Sequence, residues 1–220
     1  MPPNRLRRYQ LAPFNAILAA AERHEAEQLV VVFPRQSGKN EVSAHIEAAL
    51  MVSQGNTGQG VKAAPTQDPQ SVRSLARLAG HLRACGFKAP QLAAGSDDVR
   101  LGGASWYFAS GEPHANVVGA TASLLLEFDE AQDFDIDVHD RRFSPMAATT
   151  AAARVYYGTP FTDFDLLAIA EEQAAARSAR DGIERVFRIS WEQVADELPA
   201  YGTYVREEMS RLGHTPTTPH

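Results

Sequence analysis

The sequence predicts an α/β fold, a mostly parallel sheet held between helices as a three-layer sandwich, and three observations carry that prediction. Short, mostly apolar runs such as 29–32 (LVVV) and 124–128 (LLLEF) have the length and branching of strands buried on both faces. Stretches of helical apolar spacing lie between such runs, and strand alternating with helix is what a parallel sheet requires of its connections. Two of the runs also lead into polar clusters, PRQSGK at 34–39 and Asp129-Glu130. Open α/β sheets carry their ligand groups there, outside the carboxyl ends of the strands.

Length and charge bound the rest. With 220 residues the chain holds one α/β domain with a full core, or one domain plus a small appendage. A net charge of −6 and a pI near 5.6 exclude nucleic-acid binding by bulk electrostatics, so any DNA contact is a local patch or comes from another domain. Cys85 stands alone, which excludes a disulfide framework and a cysteine-based zinc site. No apolar run reaches the roughly 18 residues of a membrane span, and MPPNRLRRYQ lacks the apolar core of a signal peptide, so a cytosolic protein is expected.

Residues 11–28 read as a helix with Phe14, Ile17, Leu18 and Ala21 on one face. Just ahead lies RLRRYQ. The amide of Gln10 matches the N6 and N7 edge of adenine and Tyr9 offers a stacking ring; taken alone, Gln10 reads as a solvated residue near a helix start. Next comes the strand 29–32, then PRQSGK, then a helix marked by Val42, Ile46, Ala49 and Leu50. A strand, a loop ending Gly38-Lys39 and a helix form a grip for polyphosphate. The amides around Gln36, Ser37 and Gly38 and the positive helix end face the anion, and Lys39 adds a mobile charge. The pattern is a P-loop with two departures: Phe33 stands where the first glycine falls, and Asn40 replaces the usual Ser or Thr. The amide oxygen of Asn40 can still coordinate or hydrogen-bond hydrated Mg²⁺. A surface turn with a chance Gly-Lys has the same letters.

Residues 53–60 (SQGNTGQG) read as a flexible loop and 61–64 as a strand. Asp68 can cap a helix running through Val72, Leu75, Leu78 and Leu82 to near Gly86. Its arginines, Arg73, Arg77 and Arg83, read as a solvated face, although a DNA-facing or subunit-facing patch has the same look. Residues 90–103 read as loop, 104–110 as a strand, 111–123 as a connection and 124–128 as a buried strand. Asp129 at its end suits the Mg²⁺ shell, and Glu130 suits orienting and polarising a water. The acids Asp133, Asp135, Asp137 and Asp140 read as a solvated helix start rather than a nuclease site. Arg141 and Arg142 are phosphate-sensing, intersubunit or plain surface charges. Residues 152–157 form a further strand, ending in Gly158-Thr159-Pro160, where a hydroxyl can sense a γ-phosphate. A helix over 164–180, a strand over 185–189 and helices over 191–198 and 201–212 complete the chain.

PRQSGKN, then LLLEFDEAQ, then YYGTP, preceded by RRYQ, resembles the ATPase domain of the large terminase subunit of tailed phages. The resemblance covers about 5–212. It implies a P-loop NTPase of the RecA-like (ASCE) kind, with residues 1–160 as the ATPase core and 161–220 as remaining elements and a lid-like appendage. It implies that Lys39 grips the β- and γ-phosphates of ATP, Arg35 senses or stabilises the γ-phosphate, and Gln10 reads adenine. Asp129 would hold Mg²⁺, Glu130 would activate water, and Thr159 with Pro160 would couple hydrolysis to movement. Many terminases place an arginine that reaches the neighbouring subunit's site about a dozen residues before the catalytic glutamate; Val118 and Gly119 stand there instead. Large terminases continue into a nuclease domain for which this chain has no room, so it is a fragment or a free-standing ATPase.

The expected function is Mg²⁺-dependent ATP hydrolysis that drives double-stranded DNA into procapsids in the host cytoplasm. The expected partners are a portal protein, a small terminase subunit and further copies of the chain in a ring. Two other readings remain. A superfamily 2 helicase needs a second RecA-like domain, and a nucleotide-binding assembly module would hold ATP without turnover.

Overall fold

The computed structural model describes residues 5–53, 57–87, 97–112, 117, 119–159 and 162–212. Its elements follow in order as α1 (Arg8–Arg23), β1 (Gln28–Val32), α2 (Lys39–Val52), β2 (Gly58–Ala64), α3 (Val72–Ala84), β3 (Asp98–Leu101), β4 (Ala104–Ser110) and β5 (Leu126–Phe128). After them come the short α4 (Ile136–Val138), β6 (Arg154–Gly158), α5 (Leu166–Asp181), β7 (Val186–Arg188), α6 (Trp191–Glu197) and α7 (Pro199–Arg211). The seven strands form one sheet in the order β3-β4-β2-β5-β6-β1-β7. Every pairing is parallel except that of β3 with β4. The expected three-layer, mostly parallel α/β sandwich is therefore what the chain forms.

Burial on both faces follows from the two-residue period of a strand. Leu29, Val31 and Phe33 point into a core shared with Ile17, Val42, Ile46, Leu78 and Leu82. Val30 and Val32 point the other way, into a core with Phe128, Phe143, Leu167 and Ala170. The strand order then determines where the loops meet. β6 lies between β1 and β5, with Val32 opposite Gly158 and Phe128 opposite Tyr156. The chain after β1, the chain after β5 and Gly158-Thr159 thus emerge side by side.

Four expectations are corrected. The first helix spans Arg8–Arg23, not 11–28, because His24 turns left-handed at φ 51° and ends it. The segment 90–103 holds a strand, β3, whose Val99 is fully buried while Arg100 faces out; this short edge strand pairs with β4 through a turn at Gly102-Gly103. The segment 53–60 is not loop throughout, since β2 begins at Gly58. Its glycines answer packing rather than flexibility, because a Cβ on Gly60 would collide with the Trp106 ring. A π turn over Gln67–Ser71 also precedes α3, so Asp68 lies inside that turn and not at the helix cap. Asp135 does start a helix: its side chain accepts from the Val138 amide at 2.9 Å. Among the described residues, no helix is long and apolar enough to cross a membrane.

Candidate nucleotide site

The loop after β1 is held open by the chain that precedes it. Gly38 caps α2 at φ 94°, a left-handed conformation natural to glycine, and a Cβ there would lie 2.5 Å from Gln10 Nε2. Gln10 is buried, and its Nε2 donates to the Gly38 carbonyl at 3.2 Å while its Oε1 accepts from the Arg7 amide at 2.8 Å. Tyr9 Oη donates to the Ser37 carbonyl at 2.8 Å, and Ser37 Oγ donates to the Pro34 carbonyl at 2.6 Å. The Nε2 end of Gln10 therefore braces the loop while its Oε1 end caps α1, and contact with an adenine would require exchanging these bonds. Arg35 and Gln36 are exposed at the loop tip, Gln36 with φ 61°. The Arg35 carbonyl accepts from Tyr201 of α7 at 3.1 Å.

Lys39, first residue of α2, reaches across to the end of β5. Its Nζ lies 2.9 Å from Asp129 Oδ1 and donates a short hydrogen bond to Glu130 Oε1. Asp129 is buried; burial pushes its carboxyl up, but Lys62 and Lys39 outweigh that and hold it below the ordinary carboxylate value. Glu130 sits at φ 50°, ψ 50°, uncommon for a side chain of this size and concentrated in proteins at functional turns. Gln132 ties this turn to the neighbouring strand. It donates to Glu130 Oε2 at 2.8 Å and accepts from the Thr159 amide at 3.2 Å, and Thr159 Oγ1 donates to the Phe33 carbonyl at 3.0 Å. A Cβ on Gly158 would collide with Gln132 Oε1, so this relay needs a glycine there. Gln132 was missed in the sequence because a lone amide two residues past an acidic pair carries no pattern.

These groups line a cleft of about 1290 Å³. In a chain of net charge −6, its walls gather Lys39 with Arg5, Arg7, Arg35, Arg73 and Arg77, a basic concentration suited to a polyanion. Arg73 and Arg77 of α3 are exposed, as a solvated face requires, and they also line this cleft. Arg141 and Arg142 lie elsewhere, along a second hollow with Thr121 and Met146. Val118 and Pro160 lie outside the described residues.

Beneath the site is a buried polar cluster that sequence reading did not find. Lys62 Nζ donates to Ser43 Oγ at 2.7 Å and to Glu47 Oε1 at 3.1 Å. Ser43 Oγ also lies 2.7 Å from Glu47 Oε1 and 2.9 Å from Glu127 Oε1, and Tyr157 Oη donates to Glu127 Oε1 at 2.9 Å. One serine proton cannot satisfy two carboxylates. Burial first, and then the nearby Glu47, push the Glu127 carboxyl up to about 8, so it holds its own proton at neutral pH. Lys62 remains charged, raised by Glu47 and Asp129 against the opposing effect of burial.

The fit to Mg²⁺ rests on the donor atoms. Asn40 Oδ1 is buried without a hydrogen-bond partner, and it and the Asp129 carboxylate offer oxygen donors of the kind this ion takes.

No protein-family model and no curated protein matches the sequence. Among solved structures, the chain is similar to the large terminase of bacteriophage HK97, with TM-score 0.64 and 17% identity, covering 86% of this chain and 40% of that one. It is similar to the ATPase domain of the Thermus phage P74-26 large terminase, with TM-score 0.67 and 18% identity, covering 94% and 93%. A third is the large terminase of a thermophilic bacteriophage in complex with ATP-γ-S, with TM-score 0.61 and 13% identity, covering 83% and 43%. The chain thus spans less than half of the longer terminases and nearly all of the isolated domain. At these identities it is the fold that is shared, and this chain has the fold of phage large-terminase ATPase domains.

Proposed function

We propose that this chain is a Mg²⁺-dependent ATPase that serves as the motor domain of a viral DNA-packaging terminase, coupling hydrolysis to translocation of double-stranded DNA into procapsids. The observation that carries the proposal is the meeting of Lys39, Asp129 and Glu130 from the chain after β1 and the chain after β5, on either side of β6 and beside a cleft lined with arginines. Lys39 exchanges its two carboxylates for the β- and γ-phosphates of ATP. The loop amides and Arg35 hold the rest of the polyphosphate. Asp129 and Asn40 would hold Mg²⁺, which when bound supplies positive charge against the phosphate oxygens. Glu130, freed from Lys39, orients a water and takes its proton, while Gln132 keeps the carboxylate turned toward the γ-phosphate position. Thr159 touches both Gln132 and the start of the loop, which supports a role in passing the state of the γ-phosphate to β6.

Within residues 161–220, α5 and β7 are remaining elements of the ATPase core, and α6 and α7 act as its lid-like appendage. Support comes from Tyr201 on the Arg35 carbonyl and from the Glu197 carboxylate, which accepts from the Tyr9 amide at 3.4 Å. In the proposed assembly the chain works as a ring in the host cytoplasm, docked on a portal with a small terminase subunit, and neighbouring copies complete each other's sites.

The test is ATP binding and steady-state phosphate release with Mg²⁺, for the parent and Glu130→Ala, over a range of protein concentrations. Binding by both, with release only by the parent and rising faster than linearly with concentration, is expected. Binding without release in either favours the assembly module that holds ATP without turnover. No binding overturns the proposal.

A further inference from the structure

A group of metal-ligating side chains lies outside this machinery, between α2 and α3. His45 follows Glu41 by one helical turn, so both project from the same face of α2, and His81 meets them from α3. One carboxylate oxygen of Glu41 and one ring nitrogen of each histidine lie within 4.8 Å of one another. The two imidazoles are packed with centroids 4.0 Å apart and planes tilted by 58°. All three residues are half-buried, and the Glu41 carbonyl 2.8 Å from His45 Nδ1 orients that ring. Such an outer contact is common for a metal-binding histidine.

We propose that Glu41, His45 and His81 form a binding site for a divalent transition-metal ion of the Zn²⁺ class, pinning the first turn of the P-loop helix to α3. Two imidazoles and one carboxylate are a recurrent zinc donor set that leaves a coordination position open, and nitrogen donors select against Mg²⁺ and Ca²⁺. Arg77 competes for Glu41, donating to its Oε2 at 3.2 Å. A bound ion takes Glu41 from Arg77, whose guanidinium lines the cleft mouth, so occupancy of this site changes the charge offered at the cleft. Because Glu41 lies in the same helical turn as Lys39, the ion also stiffens the turn that carries the phosphate grip.

The whole chain, stripped with chelator and free of nucleotide, is titrated with Co²⁺ for visible d–d absorption and with Zn²⁺ against a chromogenic chelator. Thermal melting is followed with Zn²⁺ and with Mg²⁺. The parent should bind one ion per chain, show a tetrahedral Co²⁺ band, and melt higher with Zn²⁺ but not with Mg²⁺. His81→Ala should weaken Zn²⁺ binding by about tenfold or more, and Arg77→Ala, which removes the competitor from Glu41, should tighten it. An absent Co²⁺ band, or unchanged affinity in His81→Ala, overturns the site. If His81→Ala does not fold, Arg77→Ala decides, and unchanged or weaker binding there overturns it equally. None of these readouts depends on ATP turnover.

Discussion

Two buried ionic clusters lie at opposite ends of the parallel strands, and they are built differently. At the amino end of β1, Arg185 donates to both oxygens of Glu27, at 2.7 and 3.1 Å, and to both oxygens of Asp181, at 2.7 and 2.8 Å. Every face of that guanidinium is matched by a carboxylate. At the other end, under the nucleotide site, the one ammonium of Lys62 faces Glu47 and Glu127, and one oxygen of each carboxylate has no partner. The first cluster is a closed clamp between β1 and the approach to β7. The second leaves carboxyl oxygens unmatched and keeps Glu127 protonated, and its lysine also helps keep Asp129 ionised. Stability and chemistry thus reside in different clusters of one sheet.

The sharpest way to separate them is to remove the group that belongs to chemistry alone. Glu130→Ala should lower phosphate release by about 100-fold or more, the scale of a general base, with ATP binding retained and the melting temperature almost unchanged. Equal loss of stability would place Glu130 among the structural acids.

The next test removes the cation from each cluster. Arg185→Met leaves the buried Glu27, and Lys62→Met the buried Glu47, without its nearest cation, and each should cost about 3 kcal/mol or more in denaturant unfolding. Only Lys62→Met should also depress hydrolysis per folded molecule, because Asp129 loses a charge that holds it ionised. Matching activity losses in both would break the division.

Acid and base should then act on the clusters in opposite directions. The Glu127 carboxyl titrates near 8 in the fold against 4.5 ordinarily, so its contribution to stability is complete below pH 4.5 and drains away as pH rises toward 8. Glu27, held below 4.5 chiefly by the Arg185 hydrogen bond, contributes above pH 4.5 and is lost as pH falls through its lowered value. Stability measured against pH should fall less steeply between 4.5 and 8 in Glu127→Gln than in the parent, and Arg185→Met should flatten the acid limb. The smallest effect should come from a site tied to neither cluster. Asp165 caps α5 by accepting from the Ala168 amide at 2.9 Å. Asp165→Ala should cost about 1 kcal/mol by denaturant unfolding, with the same pH profile as the parent.

The legible parts of this chain are those whose physics is local. The run LVVV and the helical spacing after it name a buried strand and its following helix, and glycine before Lys39 names the turn between them. β3 was hidden because an edge strand of four residues, Asp98–Leu101, buries only Val99 fully and so shows no apolar run. β2 was shortened because glycines that make room for Trp106 look like loop glycines until the tryptophan is placed beside them. Lys62 and Glu127 read as interruptions in apolar strands, since the partners that make them tolerable, Ser43, Glu47 and Tyr157, come from two other elements.

By itself the sequence determined the strand-loop-helix around Gly38-Lys39, the acidic pair at a later strand end and the α/β class. Dihedral preference, apolar period and charge are properties of neighbouring residues. The tertiary structure alone decided that β6 lies between β1 and β5, that Gln132 joins Glu130 to Thr159, and that Gln10 braces the loop it precedes. Gln132 and Thr159 lie 27 positions apart and Gln10 and Gly38 lie 28 apart, and only the tertiary fold brings them together.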